Sequence, residues 1–300
     1  MKCASILEAI GNTPVVSISC SGPCEIWGKA EYLNPGGSIK DRVALRMIEQ
    51  AEKRGDLRPG ATIVEPSSGN TGIAMALVGV QRGYRVIIVM PEDMSEERKK
   101  IISAFGGELE LTPQRANIEG ACNRARELVQ QIDGALSLQQ FENPDNPEVH
   151  YDTTGPELWR DLDGHVDAFV AGIGSGGTFA GVGRFLREQN PDVYLAAVEP
   201  ANSAALLGHE PGLHCIPGIG DGFIPPVLDT SIISEIITVE DEAAIETTRR
   251  LARENGLLVG TSSGANVWAA RKMARELPEG SVIATVLPDR AERYFSTALI

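Results

Sequence analysis

Lys40 is the residue of this 300-residue chain whose position best suits covalent chemistry. Apolar residues recur every four positions between residues 39 and 51, which predicts a helix with Lys40 in its first turn. The unpaired N–H groups and positive dipole end of that turn disfavour a cation, so the pKa of Lys40 should fall. A neutral lysine can form a Schiff base and, once released, act as a general base. A lone lysine is more commonly a solvated residue paired with a neighbour such as Asp41 or Glu65, so the interpretation depends on its surroundings.

Three polar segments with glycines interrupt the apolar pattern, and each lies at the start of a predicted helix. They are residues 34–42, which include Lys40, residues 65–72 and residues 174–178. In an α/β fold, loops of this kind gather at the carboxyl ends of the strands, where ligands bind. We therefore expect all three segments to build one site.

Two further motifs suggest other chemistries. Residues 172–177 fit the G-x-G-x-x-G dinucleotide fingerprint, with Glu199 where a ribose-binding acid would lie. The same glycines let backbone N–H groups approach any phosphate, so the motif indicates phosphate binding rather than one cofactor. Residues 260–264 fit the G-x-S-x-G nucleophile elbow, but all four histidines precede it, which disfavours a hydrolase. The histidines lack i, i+4 pairing, so we predict no metal site and expect them at the surface or in caps.

The elements that must position these segments follow a βαβα order, which predicts an α/β fold with largely parallel sheets. Residues 143–147 are rich in proline and asparagine and should continue neither a strand nor a helix, so they predict a domain boundary. Residues 200–229 contain five prolines and five glycines and are expected to form a functional loop. We predict strands at residues 62–65, 85–90, 108–111, 168–171, 194–198, 235–239 and 282–286. We predict helices at residues 71–81, 117–131, 178–188, 241–255 and 265–277.

The composition excludes several classes of function. The formal net charge of −14 leaves no basic surface for nucleic acid or for an anionic membrane. Five cysteines without a C-x-x-C pair are expected to be reduced thiols. We find neither a signal peptide nor an apolar run long enough to span a membrane, and we expect a soluble, cytoplasmic protein.

Seven segments carry a resemblance to a known family: residues 34–42, 65–76, 139–146, 153–159, 172–186, 218–225 and 293–299. They resemble the cysteine synthases, or O-acetylserine sulfhydrylases, which belong to the tryptophan-synthase-β-like (fold type II) enzymes that use pyridoxal 5'-phosphate (PLP). The resemblance covers essentially the whole chain. It implies a smaller N-terminal α/β domain at residues 35–145, with a movable subdomain at about 86–132, and a larger PLP-binding domain formed by residues 1–34 and 146–300.

The resemblance also implies the residues of the site. Lys40 would hold PLP as a Schiff base, Asn70 would bond the cofactor's 3'-oxygen, and Ser262 would face its pyridine nitrogen. The implied PLP-binding set is Lys40, Asn70, Gly174, Ser175, Gly176, Gly177, Thr178 and Ser262, of which residues 174–178 form the phosphate cup. The implied substrate-binding set is Ser67, Ser68, Asn70, Thr71 and Gln140.

The reaction implied by the resemblance is a β-replacement that makes L-cysteine from O-acetyl-L-serine and sulfide by way of an α-aminoacrylate. Lys40 would take the Cα proton and later return it. Members of the family are typically homodimers, and they bind the C-terminal tail of serine acetyltransferase in the active site. Both properties are expectations for this chain.

Three positions depart from the family's usual pattern. Ser67 stands in place of threonine and retains the hydroxyl, whereas Ile118 replaces a methionine of the acyl pocket and Asp221 replaces a small residue. Asp221 could be a solvated turn residue. Alternatively, it could favour serine or cysteine as the donor, as in a cystathionine β-synthase or a hydrogen sulfide-releasing cysteine lyase. Phosphoserine is a weaker candidate because residues 200–229 contain no lysine or arginine, and a binding or regulatory protein without catalysis is a further alternative.

Overall fold

The computed structural model describes residues 2–20, 22–67 and 69–297 and has the predicted α/β architecture, with helices packed on two largely parallel sheets. The strands are β1 (Val15–Ile18), β2 (Glu25–Lys29), β3 (Thr62–Pro66), β4 (Arg85–Pro91), β5 (Glu108–Thr112), β6 (Ala135–Leu136), β7 (Ala168–Gly172), β8 (Tyr194–Pro200), β9 (Glu235–Val239) and β10 (Val282–Val286). The helices are α1 (Lys40–Arg54), α2 (Asn70–Gln81), α3 (Glu96–Ala104), α4 (Asn117–Gln131), α5 (Asp145–Val149), α6 (Gly155–Asp161), α7 (Gly177–Gln189), α8 (Asp241–Asn255) and α9 (Thr261–Met273).

The larger sheet has six strands in the order β1-β2-β10-β7-β8-β9. Only the β1–β2 pair is antiparallel, and the other four pairings are parallel. The central strands β7 and β10 are almost continuously buried and apolar, as expected for parallel strands covered on both faces. Their carboxyl ends lead directly into residues 172–178 and 286–290, which therefore share one edge of the sheet.

The smaller sheet has four parallel strands in the order β5-β4-β3-β6. Its core includes the buried side chains of Val43 and Met47 from α1, Ile73 from α2 and Ile88 from β4. Because β3 runs into α2, the loop between them lies at the carboxyl edge of this sheet. The structure thus carries a polar loop at the carboxyl edge of each sheet.

One expectation about the middle of the chain is wrong. Residues 143–147 do not exclude a helix, because α5 begins at Asp145 with Pro144 as its N-cap residue. Pro147 lies in the first turn, where the N–H that proline lacks has no intrahelical acceptor. The domain boundaries and the movable subdomain at about residues 86–132 stay predictions. Within the described ranges, no helix has both the length and the apolar character to cross a membrane.

Candidate active site

A cavity of about 830 Å³ is lined by residues from both sheets. All three polar segments reach it, through residues 39–40, through residues 65–67 and 69–71, and through residues 172, 174–176 and 178. Each segment precedes or opens a helix, since α1 begins at Lys40, α2 at Asn70 and α7 at Gly177. The predicted convergence of the three segments is therefore confirmed. Residues 214–221 of the long irregular loop also line the cavity, through His214, Pro217, Gly218, Ile219 and Asp221.

Lys40 presents its amine to this cavity. Its Nζ donates to Ser175 Oγ at 3.1 Å, and in the described part of the chain it forms no ion pair with Asp41 or Glu65. Burial lowers the pKa of Lys40, and the carboxylate of Asp221 offsets part of that effect. An amine with a lowered pKa is a better nucleophile and a better proton acceptor near neutral pH than an exposed lysine.

Residues 174–178 form a concave turn at the start of α7. Gly176 has a φ of +79°, which favours glycine, and a Cβ at Gly177 would overlap the side-chain amide of Asn146. The first N–H groups of a helix have no intrahelical partner and sit at its positive end. The turn contains no acidic side chain, so its donors suit an anion such as a phosphate group.

Two residues that the sequence did not single out support this turn. Asn146 donates from Nδ2 to Ser175 Oγ at 3.0 Å and to the Gln140 carbonyl oxygen at 2.8 Å. His150 is fully buried, with Nδ1 2.9 Å from Thr154 Oγ1 and Nε2 3.3 Å from Thr178 Oγ1. Burial and the nearby charges of Arg42 and Lys40 hold the pKa of His150 well below its usual value, so it is neutral. Histidines were expected at the surface or in caps, and His150 is buried but is the C-cap residue of α5.

The loop from β3 to α2 is organised by its own hydroxyl groups. Ser67 Oγ accepts from the backbone N–H groups of Gly69 at 3.2 Å and Gly72 at 2.9 Å, so it caps the start of α2. Thr71 Oγ1 donates to Gln140 Oε1 at 2.7 Å, which leaves the amide N–H groups of Gln140 for another acceptor. Ser67, Asn70, Thr71 and Gln140 line the cavity, whereas Ser68 lies outside the described residues.

Glu65, at the end of β3, fixes the segment that carries Gln140. Its Oε2 accepts from Leu138 N at 2.9 Å, Ser137 Oγ at 3.1 Å and Gln139 N at 3.4 Å. Burial raises the pKa of Glu65, and these hydrogen bonds partly offset the rise. Gln139 has a φ of +53°, a strained conformation for a residue with a side chain. Glu65 thus stabilises a turn that local propensity disfavours.

The remaining predicted residues also reach the cavity. Ser262 is buried in the first turn of α9, and Ile118 projects from α4 with 42% of its surface exposed. Asp221 lies between Gly220 and Gly222, which have φ values of +73° and +83°. Burial raises the pKa of Asp221, while the positive charge of Lys40 lowers it. Asp221 is exposed between two glycines, as expected of a solvated turn residue, and it also lines the cavity, where the charge of Lys40 acts on it.

The fold and the site together indicate the family to which the chain belongs. Residues 6–289 match the family of pyridoxal-phosphate dependent enzymes, and the chain belongs to that family. It is 49% identical over 299 residues to the cysteine synthase of Staphylococcus aureus, an alignment that covers 98% of this chain and 96% of that protein.

Two solved structures show how far the likeness extends. An O-acetylserine dependent cystathionine beta-synthase from Helicobacter pylori is 45% identical with a TM-score of 0.94, over 100% of this chain and 99% of that one. A hydrogen sulfide-producing enzyme from Fusobacterium nucleatum is 38% identical with a TM-score of 0.94, over 98% of this chain and 100% of that one.

The family's cofactor fits the groups in the cavity. PLP requires an amine for its aldehyde and donors for its phosphate, and Lys40 and the start of α7 supply them. Asn70 and Ser262 add an amide and a hydroxyl to the same cavity. Among the described residues no cluster of His, Cys, Asp or Glu suits a metal ion.

Proposed function

We propose that the protein makes L-cysteine from O-acetyl-L-serine and sulfide by a PLP-dependent β-replacement. The observation that carries the proposal is the position of Lys40, whose amine of lowered pKa opens into the same cavity as the starts of α2 and α7. The 49% identity to a cysteine synthase over nearly the whole chain supports the choice of reaction.

Different residues of the cavity are assigned to different parts of the cofactor. We assign the phosphate of PLP to the N–H groups of residues 174–178 and the hydroxyl of Thr178. Bound PLP supplies the electron sink for a carbanion at the substrate Cα. Ser262 offers the pyridine nitrogen a neutral hydroxyl, which does not enforce its protonation and so favours β-elimination over deeper carbanion chemistry.

The substrate α-carboxylate is assigned to the start of α2. The free N–H groups of the first turn and the amide N–H groups of Gln140, whose oxygen Thr71 holds, converge there, and the helix dipole favours a negative charge. We assign Ser67 mainly to the shape of this loop, because its hydroxyl oxygen already accepts two backbone N–H groups. Ser68 is assigned to the carboxylate by resemblance alone.

We assign the transfer of the substrate Cα proton to Lys40. With the cofactor bound, the neutral Nζ of Lys40 would take the proton from the substrate Cα, acetate would leave from Cβ, and hydrosulfide would form the new C–S bond. The same Nζ returns the proton to Cα. Ser175 Oγ, 3.1 Å from Nζ, restricts where the amine can lie. Exclusion of water by a movable segment at about residues 86–132 would protect the intermediate.

The first prediction tests this assignment with Lys40→Ala. The wild-type protein should show the visible absorbance of PLP bound to a lysine and should convert O-acetylserine and sulfide to cysteine. The variant should lose both, because among the described residues no other lysine lines the cavity. Absorbance spectra and a cysteine assay make the measurement, with Lys100→Ala, an exposed lysine, as the matched control. Retention of the visible band by Lys40→Ala, or its absence from the wild type, contradicts the proposal and favours a binding protein without catalysis.

A second candidate, release of hydrogen sulfide from cysteine, is favoured by Asp221. With the cofactor bound, a carboxylate that lines the cavity near Lys40 would activate the water whose oxygen bonds to Cβ of cysteine in place of the departing sulfide. The candidate predicts sulfide release from cysteine alone, and loss of that release in Asp221→Asn. The experiment that tests it compares O-acetylserine, O-phosphoserine, serine and cysteine as donors, each with and without sulfide or homocysteine. High activity with O-acetylserine and sulfide that Asp221→Asn leaves unchanged contradicts this candidate.

We also propose that the enzyme acts in the cytoplasm as a homodimer. The free thiols of all five cysteines support a reducing compartment. Exposed Phe223 and Ile224, 44% and 45% accessible, support association through the long loop. The carboxylate site at the start of α2 supports binding of the C-terminal tail of a serine acetyltransferase. Small-molecule substrates remain the principal ligands of the site.

A further inference from the structure

The side-chain amide of Asn70 is held from two sides by the segment that follows β10. Asn70 Nδ2 donates to Asp289 Oδ2 at 2.7 Å, and Arg293 Nη1 donates to Asn70 Oδ1. Asp289 and Arg293 are 1% and 3% exposed, so neither bond competes with bulk water. Charge-assisted hydrogen bonds of this kind are stronger than those between neutral groups.

These two contacts allow only one orientation of the amide. If the Asn70 amide rotated by 180°, its N–H groups would face the donors of Arg293, and its oxygen would face the carboxylate of Asp289. Both contacts would be repulsive. The native orientation uses one of the two N–H groups of Nδ2 for Asp289 and leaves the other for a ligand in the cavity that Asn70 lines.

Asp289 and Arg293 are themselves held in place. Tyr294, 2% exposed, donates from its hydroxyl to the same Oδ2 of Asp289 at 2.5 Å. Arg293 Nη2 donates to the Gly36 carbonyl oxygen at 2.7 Å, in the loop that precedes Lys40. A single short segment therefore contacts both the Lys40 loop and the Asn70 loop.

The segment also contacts α3. The guanidinium of Arg98 lies 5.0 Å from the centre of the Tyr294 ring, and Ser95 Oγ donates to the Arg293 carbonyl oxygen at 3.2 Å. Arg98 is 9% exposed and its Nε has no partner in the described part of the chain. Movement of α3 would therefore change the surroundings of Tyr294 and, through Asp289, those of Asn70.

We infer that Asp289, Arg293 and Tyr294 are positioning residues that fix the amide of Asn70 for the 3'-oxygen of PLP. The inference rests on the proposed function, because it needs PLP in this cavity. Of the three, Tyr294 also lines the cavity, whereas Asp289 and Arg293 act through their contacts with Asn70. Their effect passes through one hydrogen bond from Asn70, which stabilises negative charge on the 3'-oxygen and so influences the absorbance and affinity of the cofactor.

The test compares Asp289→Asn and Arg293→Met, which each remove one charged partner of Asn70. In the holoenzyme the visible band should shift, and the apparent dissociation constant of PLP should rise roughly 3-fold to 10-fold, the effect of weakening one hydrogen bond. Tyr294→Phe should cause a smaller change in the same direction, and it retains the ring that Arg98 contacts. Glu292→Gln, an exposed carboxylate-to-amide change in the same segment, is the matched control and should leave both quantities unchanged.

A cycle with Asn70→Ala separates positioning from a general loss of stability. In the Asn70→Ala background, Asp289→Asn should cause no further shift of the band and no further loss of PLP affinity. If Asp289→Asn, Arg293→Met and Tyr294→Phe fold but keep the wild-type band and affinity, the inference is wrong while the proposed function stands. If the wild-type protein binds no PLP, the proposed function and the inference both fail.

Discussion

Two adjacent residues, Lys40 and Asp41, titrate abnormally for the same reason. Burial disfavours charge, so it lowers the pKa of Lys40 and raises the pKa of Asp41 to about 7. Asp41 Oδ2 accepts from Gly36 N at 2.5 Å, which partly offsets the rise, whereas Oδ1 has no partner in the described part of the chain. The start of α1 therefore favours an unprotonated lysine beside a carboxyl group that stays protonated up to nearly neutral pH.

The wild type should lose stability between pH 5 and pH 8 because of Asp41. The Asp41→Asn variant should lose less stability over the same range. The folded state binds the Asp41 proton more tightly than the unfolded state, whose pKa is near 3.8, so stability from this group falls as pH rises from about 4 through 7. Over the whole range this loss amounts to roughly 4 kcal/mol, of which roughly 2.5 kcal/mol falls between pH 5 and pH 8. The asparagine oxygen can still accept from Gly36. Urea unfolding at both pH values measures the effect.

Asp163→Asn is the control for this pH dependence. Asp163 is exposed and has a φ of +54°, a conformation that asparagine adopts as readily as aspartate. Its pH dependence should match that of the wild type. If Asp41→Asn loses the same stability between pH 5 and pH 8 as the wild type, Asp41 is ionised throughout that range.

Among the secondary-structure elements, the sequence predicts the helices and strands whose apolar pattern lies within the element itself. Helices α4 and α8 have the predicted bounds, and all seven predicted strands are present, because their apolar runs are bounded by glycine or polar residues. The antiparallel strands β1 and β2 were not predicted. Strand β2 contains Gly28 and ends at Lys29, and the latter is fully buried only because distant acids pair with it. Local patterning cannot show such a tertiary contact.

The site residues that the sequence predicts are likewise those that lie within short local motifs. Lys40, Asn70 and residues 174–178 were found because their chemistry and glycines occur within short motifs. Glu65 lay inside one of the motifs, yet its role was not predicted, since it depends on hydrogen bonds to residues more than 70 positions away. Asn146 and His150 also act through hydrogen bonds to residues of another segment, at the start of α7. Helix α3, which brings Arg98 to the cavity, was also not predicted, as its residues Glu96 to Lys100 are all charged.

At the scale of the whole molecule, a buried ion network joins parts of the chain that are distant in sequence. Arg42 donates to Glu31 at 2.8 Å and to Glu157 at 2.7 Å, and Lys29 lies 3.0 Å from Glu157. The network therefore connects β2 and the turn after it to α1 and α6. Because Arg42 follows Lys40 by two residues, the same contacts fix the start of the helix that carries the reactive amine.

Glu157→Gln should lower the free energy of unfolding by about 3–5 kcal/mol at pH 7, since it leaves Lys29 and Arg42 buried with less compensating charge. Burial alone would raise the pKa of Glu157, but hydrogen bonds from Arg42 and the charges of Arg42 and Lys29 lower it to about 2. Its stabilisation is therefore present above pH 4.5 and is lost as pH falls through 2, so the difference between variant and wild type should shrink at pH 3. Glu148→Gln, which breaks an exposed pair with Arg184, should cost less than about 1 kcal/mol. Equal losses in the two variants at pH 7 would show that the buried network adds nothing beyond an ordinary surface ion pair.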